Sequence, residues 1–546
     1  MGMNKKYVAG GVLLLVLLAG YAGMHVLEKN IESNVAASLA EAKVQAGEIH
    51  YSFPSNTLVV GNLTYARPEE DGSVSRGSID RVELKGLNRK MLIPWWKFSD
   101  TEELPLVLES LVFTGMRDSM QAGDARIEQK VAEVRVTGWY QRMRELLEEH
   151  RRRPHSPFFY EELYRCRLDG MEISNLQVDV YEPGRTTPST LSLEKVALSQ
   201  GIAAPRGEEK VPPVSLYLAG LRLSVPECSA LFRRVEFRDL LLPEPHIMAE
   251  MAGIVRDALA EDTSSQKGTR TGQPLTAYET RLMAMSDRLV EYYRKNLPYA
   301  AFELKGAELT ARTAGGDFPI RLDALTQRQS MEEGGVVRAV TDLSRFHFKL
   351  PDLKNDVVAL ISRYAPDGFD LSAHADLRTS DHAVSGTWNY ETDPLFHVKG
   401  DFALKGDIAA LSTFSLSGDD AARSAFLRKL QVEKLNVTYK DSGMLALVVE
   451  LFAHKYGMKP EECAVLGIQM VGGLAASTQD RLAIEAAALA GEQLQTPGEV
   501  QVSFVPAKPT SVMDAVETIL ANPGASELRL ASRPGTKPLK AYWSGR

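Results

Sequence analysis

The sequence predicts an α+β protein: an N-terminal transmembrane helix, then largely antiparallel β-sheets with helical insertions, then a mostly helical C-terminal subdomain. Three observations carry this expectation. One uncharged run near the N-terminus is long enough to cross a bilayer. Segments such as Arg81–Lys85, Glu133–Val136 and Phe369–Arg378 alternate apolar and polar residues with period two, which sets one face in a core and the other in water. Beyond residue 441 the apolar spacing becomes helical, with Pro460 at a first-turn position and Ser477 or Thr478 as a cap.

At 546 residues the chain exceeds a single hydrophobic core, and the length implies roughly two to four domains. A hydrophobic fraction of 44% with 25% charged residues excludes global disorder, because enough apolar surface exists to offset chain entropy. The formal net charge of −8 supplies no basic stripe, so nucleic acid is not an expected partner. Cys166, Cys228 and Cys463 form no CxxC or Cys/His cluster. A Cys166–Cys228 bridge is the one pairing left open; three small buried hydrophobes is the preferred reading.

The N-terminal run starts after Lys5 and Lys6 and extends from Tyr7 to Leu27 through Val8, Leu13, Leu14, Leu15, Val16, Leu17 and Leu18. At about 1.5 Å per residue it reaches about 31 Å, the thickness of the hydrocarbon core. Lysines on its short N-terminal side place that tail in the cytoplasm and the body across the membrane, as a single-pass inner-membrane protein with a periplasmic body. A cleaved signal peptide, through Gly20-Tyr21-Ala22, is the competing reading; the apolar run continues through Met24, Val26 and Leu27, which favours an uncleaved anchor.

The body divides, on these patterns, into a β-rich domain over 28–243, a helical pair with a linker over 244–298, a second β-rich meander domain over 299–440 and an α/β subdomain over 441–546. Residues 1–27 are the tail and anchor. The first domain opens with a polar helix over 28–46 leading away from the membrane, then a hairpin over Ile49–Tyr65 turning at Pro54-Ser55-Asn56. An apolar-x-Gly-apolar motif recurs around Gly86, Gly115, Gly138, Gly170, Gly220 and Gly306, and reads as a bulge or bend closing each strand. Trp139–Arg153 reads as a helix stopped by Pro154. Two more helices are expected at 245–260 and 276–295, joined by the polar linker Glu261–Pro274. The second β-rich domain carries a meander: Phe369–Arg378, Ala383–Tyr390 and Leu395–Leu404. Leu430–Tyr439 follows as a strand, then helices at 443–457, 459–475 and 477–494, a strand at Val500–Val505 and a helix at Ser511–Ala521.

Motifs for catalysis are absent: no GxSxG, GxxxxGK[ST], HExxH or strand-borne GxGxxG occurs, so no enzyme activity and no cofactor is expected. His374, Asp376, Asp381 and His382 are the best metal-like grouping, but a solvent-facing strand produces such spacing routinely, and no metal is assigned. Glu332-Glu333 and Glu461-Glu462 read as turn and helix-start carboxylates. Asn62-Leu63-Thr64 and Asn436-Val437-Thr438 match the glycosylation sequon on strands and carry no weight. Met91–Phe98, with Trp95 and Trp96, reads as an apolar turn plugging the end of a sheet, the alternative being an interfacial patch.

The anchor Tyr7–Leu27, the opening Ile49–Tyr65 and the glycine-marked strands together resemble the AsmA-like, bridge-forming bacterial envelope proteins over about the first 240 residues. That resemblance implies a curved sheet whose apolar inner face holds or conducts lipid acyl chains, with membrane lipid as the ligand. Val82, Leu84, Val134 and Val136 are the residues expected on that face. Leu435–Pro506 is similar to the closing domain of uncharacterised anchored envelope proteins. The expected function is binding or transfer of lipid along the sheet. A structural scaffold that binds other envelope proteins is the alternative.

Overall fold

The computed structural model describes residues 24–68, 74–88, 106–122, 125–141, 166–202, 213–241, 297–351, 355–408 and 427–543, with short breaks at 186, 314–315, 478 and 522–525, together with residues 285 and 424. Residues 7–23 of the apolar run, Met91–Phe98, the helix expected at 245–260, the helix expected at 276–295 apart from Met285, and the linker Glu261–Pro274 lie outside the described residues. Among the described residues no helix is long and apolar enough to cross a membrane. The chain forms two compact units: residues 1–226 with 236–285, and residues 227–235 with 286–546.

The first unit begins with helix α1, residues 24–41. The edge strands β1 (Val44–Gln45) and β2 (Glu48–Ser52) both pair with β3 (Thr57–Pro68). An up-and-down antiparallel sheet follows: β4 (Val74–Lys85), β5 (Leu106–Ala122), β6 (Ala125–Gln141), β7 (Cys166–Tyr181), β8 (Ser189–Ile202) and β9 (Val214–Val225), each paired with its predecessor. The hairpin expected over Ile49–Tyr65 forms, with its turn at residues 53–56. One expectation is corrected and one open alternative is closed. Residues 139–141 belong to β6, because Trp139 and Tyr140 pair with Leu168 and Arg167, so a helix does not start there; residues 142–153 lie outside the described residues. Cys228 and Cys463 are free thiols, which removes the Cys166–Cys228 bridge.

α1 also departs from expectation. Leu27, Ile31, Val35 and Leu39 recur at four-residue intervals, one stripe of a helix, and all pack into the core of this sheet. Leu27, expected as the end of the apolar run, packs against the core of the folded body. The helix lies on the sheet and ends at residue 41, short of the expected 46, because residues 44–45 form β1. Glu32 and Glu28 fasten it: their carboxylates accept from the backbone N–H groups of Tyr51 (3.0 Å) and Phe53 (2.8 Å).

Strand β10 (Cys228–Leu240) runs from the second unit into the first. The second unit continues with β11 (Ala301–Thr313), β12 (Gly316–Glu332), β13 (Val336–Phe348), helix α2 (Asp356–Tyr364), β14 (Phe369–Thr379), β15 (Ala383–Asp393), β16 (Phe396–Lys405) and β17 (Gln431–Asp441). β11 to β17 form an antiparallel meander, so the expected strands at 369–404 are present. Helices α3 (Met444–Tyr456), α4 (Pro460–Ser477) and α5 (Arg481–Gln495) follow. After them come β18 (Glu499–Phe504), β19 (Thr510–Ser511), α6 (Val512–Ala521) and β20 (Leu528–Arg533). β18 and β19 pair with β17 and β20 with β18, so the C-terminal region extends the meander sheet.

Leu360, Tyr364, Phe369, Leu395, Ala446 and Leu447 build one core from α2, α3 and the sheet margin. The third of these helices starts later than expected: Asp480, not Ser477 or Thr478, caps it, its Oδ1 accepting from Ala483 N–H at 2.9 Å.

Candidate functional site

The four residues expected on a lipid face sit together on one side of the first sheet. Val82 and Val134 belong to one cross-strand row, Val60–Val82–Phe113–Val134–Ile173–Val196–Leu218. Leu84 and Val136 belong to the next, Leu58–Leu84–Leu111–Val136–Met171–Leu198–Leu216. Every member of both rows is apolar. Between them, on the other face, ion pairs stand on single strands or across neighbours: Arg81–Glu83 (2.7 Å), Arg135–Glu133 (2.9 Å) and Lys195–Glu172 (2.8 Å). One face is thus built to exclude water and the other to meet it.

The two ends of these rows differ in cover. Under α1 the face is a filled core: Ile31, Val82 and Val136 are 7%, 8% and 9% exposed, and Leu84 packs against them. Beyond that cluster, Ile173, Val196 and Leu218 in one row, and Leu198 and Leu216 in the other, are only half-buried. Val82, Leu84 and Val136 are therefore held as core. The stretch of the face with surface to offer starts at half-buried Val134 of β6, which lies outside that cluster, and continues over β7 to β9 at residues that strand alternation alone did not single out.

A second feature shapes this face. Gly115 in β5 has φ +67° and stands opposite Asp80 of β4, between the pairs Arg81–Thr114 and Ile79–Met116. A Cβ on Gly115 would lie 2.0 Å from the Asp80 Oδ2, so only glycine fits beneath that carboxylate. The same level of the sheet carries Asn62 in β3 (φ 51°), Asn175 in β7 (φ 51°) and Gly220 in β9 (φ 63°). Alternate strands therefore hold a left-handed residue along a line that crosses the sheet. At this line the alternation slips by one: Val60 and Leu63 of β3, three residues apart, both enter the core, as do Ile79 and Val82 of β4. A parallel line runs through Gly86, Glu109, Gly138 and Asp169, where the Asp169 carboxylate covers Gly138 in the same way. Gly115, Gly138, Gly170, Gly220 and Gly306 lie inside long strands, so the expectation that they end each strand is corrected there, whereas Gly86 follows the end of β4 as expected.

The metal-like grouping is separated by its own pairings. The His374 Nδ1 meets Asp342 Oδ1 at 2.6 Å, while Asp376 accepts from Arg338 Nε at 3.0 Å and Nη2 at 2.7 Å. The Arg338 guanidinium, by that hydrogen bonding, holds the Asp376 carboxyl below the usual carboxylate range. Among the described residues no three His, Cys, Asp or Glu side chains converge as a metal site. Of the paired carboxylates, Glu332 meets Arg378 (3.5 Å) and Glu462 accepts from Lys459 N–H (3.3 Å).

In the second unit the end of β17 and the start of α3 are joined by Asp441. Its Oδ1 accepts from Gly443 N–H (2.9 Å) and its Oδ2 from Leu445 N–H (2.9 Å) and the Tyr439 hydroxyl (2.6 Å). Burial, then the neighbouring Asp441 carboxylate, pushes the Tyr439 phenol far above its ordinary value, so it is a permanent donor. Helices α3 and α4 also expose apolar side chains: Phe452, Tyr456, Val465, Leu466 and Met470.

A family model described only as "Uncharacterized protein" matches residues 393–530, a span that runs from the end of β15 through α3–α6 and encloses Leu435–Pro506. No curated protein matches the chain.

Proposed function

We propose that the chain is a single-pass, membrane-anchored periplasmic envelope protein that holds or helps transfer lipid acyl chains along the apolar face of its first sheet. One observation carries this reading: two adjacent rows, apolar at every position from β3 to β9, continue past the cover of α1 to half-buried Ile173, Val196 and Leu218. An acyl chain needs a continuous strip without polar groups, because each unpaired polar group against it costs free energy. The resemblance to AsmA-like proteins and the apolar run from Tyr7 support a position at the membrane, where the ligand is membrane lipid.

A structural scaffold that binds another envelope protein is the second reading. The filled core beneath α1 and the exposed Phe452, Tyr456 and Met470 favour it.

Photocrosslinking separates the two. A benzophenone amino acid replaces Val196 on the apolar face, or Lys195 on the polar face, of the full-length chain in its own membranes. Lipid holding gives a phospholipid-mass adduct at Val196 and none at Lys195. Equal adducts at both positions, or none at Val196, overturn the lipid reading; a protein adduct at Val196 supports the scaffold.

A further inference from the structure

Helix α4 has two unlike sides. On one, Ala464 is buried in the core shared with α2 and α3, and Ile468, Val471 and Ala475 are half-buried at the three- and four-residue spacing of a helix face. The opposite side is exposed, yet it is not polar. No charged residue occurs from Cys463 to Ser477. In the first half of that side Val465, Leu466, Gln469 and Met470 face solvent, Val465 and Met470 at 54% and 62% exposure. In the second half the exposed residues are Gly472, Gly473, Ala476 and Ser477. No other segment comes within 4 Å of the point where a Cβ on Gly472 or Gly473 would stand, so an open hollow lies beside a raised apolar ridge. A helix apolar on every side is normally buried, and this one is covered on one side alone.

We infer that the exposed side of α4 is a homodimer interface, in which two copies of the helix pack antiparallel about Val471. The order of sizes along the helix selects this occupant. Antiparallel alignment sets Met470 on Gly472 and Gln469 on Gly473 of the second copy, with Leu466 on Ala476 and Val465 on Ser477. Every bulky residue then meets a small one, and the two-fold axis makes the match twice. Parallel copies would set bulk on bulk and hollow on hollow. The same alignment carries exposed Glu461 toward Arg481 of the second copy, at the start of α5 and 85% exposed, so charge agrees with shape at both ends. A lipid surface gains nothing from this division of sizes, and Glu461 and Glu462 at its margin oppose anionic head groups. All of α4 lies within 393–530, the span that the family model matches. The interface belongs to the second unit and does not rest on the lipid reading of the first sheet.

The test uses the full-length chain in its own membranes, with single added cysteines and a short bismaleimide. At about 1.5 Å per residue, position 469 in two such copies is offset by about 6 Å along the helix and position 465 by about 18 Å. Gln469→Cys therefore gives a covalent dimer, and Val465→Cys, also exposed, stays at the background set by the chain's own three cysteines. Leu466→Cys on one tagged copy and Ala476→Cys on another link to each other when co-expressed, and neither links to itself. Gly472→Leu with Gly473→Leu fills the hollow and abolishes the Gln469→Cys dimer. Leucine is the better helix former, so the helix is kept, and unchanged circular dichroism verifies it. A Val465→Cys dimer as strong as that of Gln469→Cys overturns the inference, because random collision or another alignment produces it. So does the absence of a Gln469→Cys dimer, the result if a bilayer covers the face. An adduct to a different protein in its place, or a Gln469→Cys dimer that survives the two leucines, overturns it as well.

Discussion

The carboxylate of Asp441 accepts the Tyr439 hydroxyl at 2.6 Å from the same oxygen that caps Leu445 N–H at the start of α3. A strand end and a helix start are thereby fixed by a single side chain, itself buried. Asp441→Ala removes the acceptor for three donors at once and should cost about 2–4 kcal/mol, since each stranded buried donor costs about 1–3 kcal/mol and the losses are not additive. Asp441→Asn retains one acceptor and should cost less. Urea denaturation followed at the tyrosine absorbance checks the order.

Gly115→Ala should destabilise by about 2–4 kcal/mol, from the left-handed backbone and the contact with Asp80 combined. Asp80→Gly in the same chain removes the contact but not the backbone cost, so the double variant should recover part of the loss. A double variant as unstable as the single one would show that the backbone alone is responsible. Denaturant midpoints for the four chains of the cycle give the answer.

Ile31→Ala should cost about 2–4 kcal/mol, the usual range for a truncated core aliphatic. Val26→Ala, on the same helix but 60% exposed, should stay within about 0.5 kcal/mol. Equal effects would mean that the α1 stripe does not hold the helix on the sheet. Thermal unfolding of both variants tests this.

The pH dependence of the Arg338–Asp376 pair has a definite sign. Folding lowers the Asp376 pKa, so its contribution is complete above the unfolded carboxylate value of about 4 and is lost as pH falls through the lower folded value. Asp376→Asn should be less stable than the parent at neutral pH, and the gap should close as the pH drops below about 4. The pair is on the surface, so the gap is small and shrinks with salt. A gap that widens on acidification would contradict the assignment; urea midpoints measured between neutral and acid pH decide.

Much of the fold is legible in the residues, and the failures share a cause. Phe369–Leu404 is legible because alternation there is uninterrupted, and the Ile49–Tyr65 hairpin because Pro54 and Asn56 mark its turn, although its alternation slips at Asn62. At Gly115 and Asn175 the chain takes a left-handed residue inside a strand, so alternation slips by one. A reader counting by twos then ends the strand at the glycine, where it in fact continues to Ala122. The signal was present as apolar residues three apart, Val60 and Leu63 or Phe113 and Met116. Leu27 ends an apolar run and also belongs to the Ile31–Val35–Leu39 stripe, a packing role that hydropathy alone does not reveal. Helix α2 carries a short-range signal that strand alternation does not use: Asn355 caps it, accepting from Val357 N–H at 2.9 Å, and Leu360 and Tyr364 share its buried side. Of the candidate lipid face, the right side of the sheet was legible; which strands leave it uncovered depends on where α1 lies, and that is a tertiary fact.

Ordinary sheets guard poorly against one particular error. A slip of one residue turns every side chain over and is rejected by the core, but a slip of two restores the same faces and passes unnoticed. The left-handed residues at Asn62, Gly115, Asn175 and Gly220 give this sheet a second, independent gauge. Displaced by two, a strand would offer its kink to a straight neighbour, and Gly115 would no longer find Asp80 above it. Alignment is therefore written into the backbone itself, like the notches of a ratchet, and the polar face is free to change its side chains without endangering it.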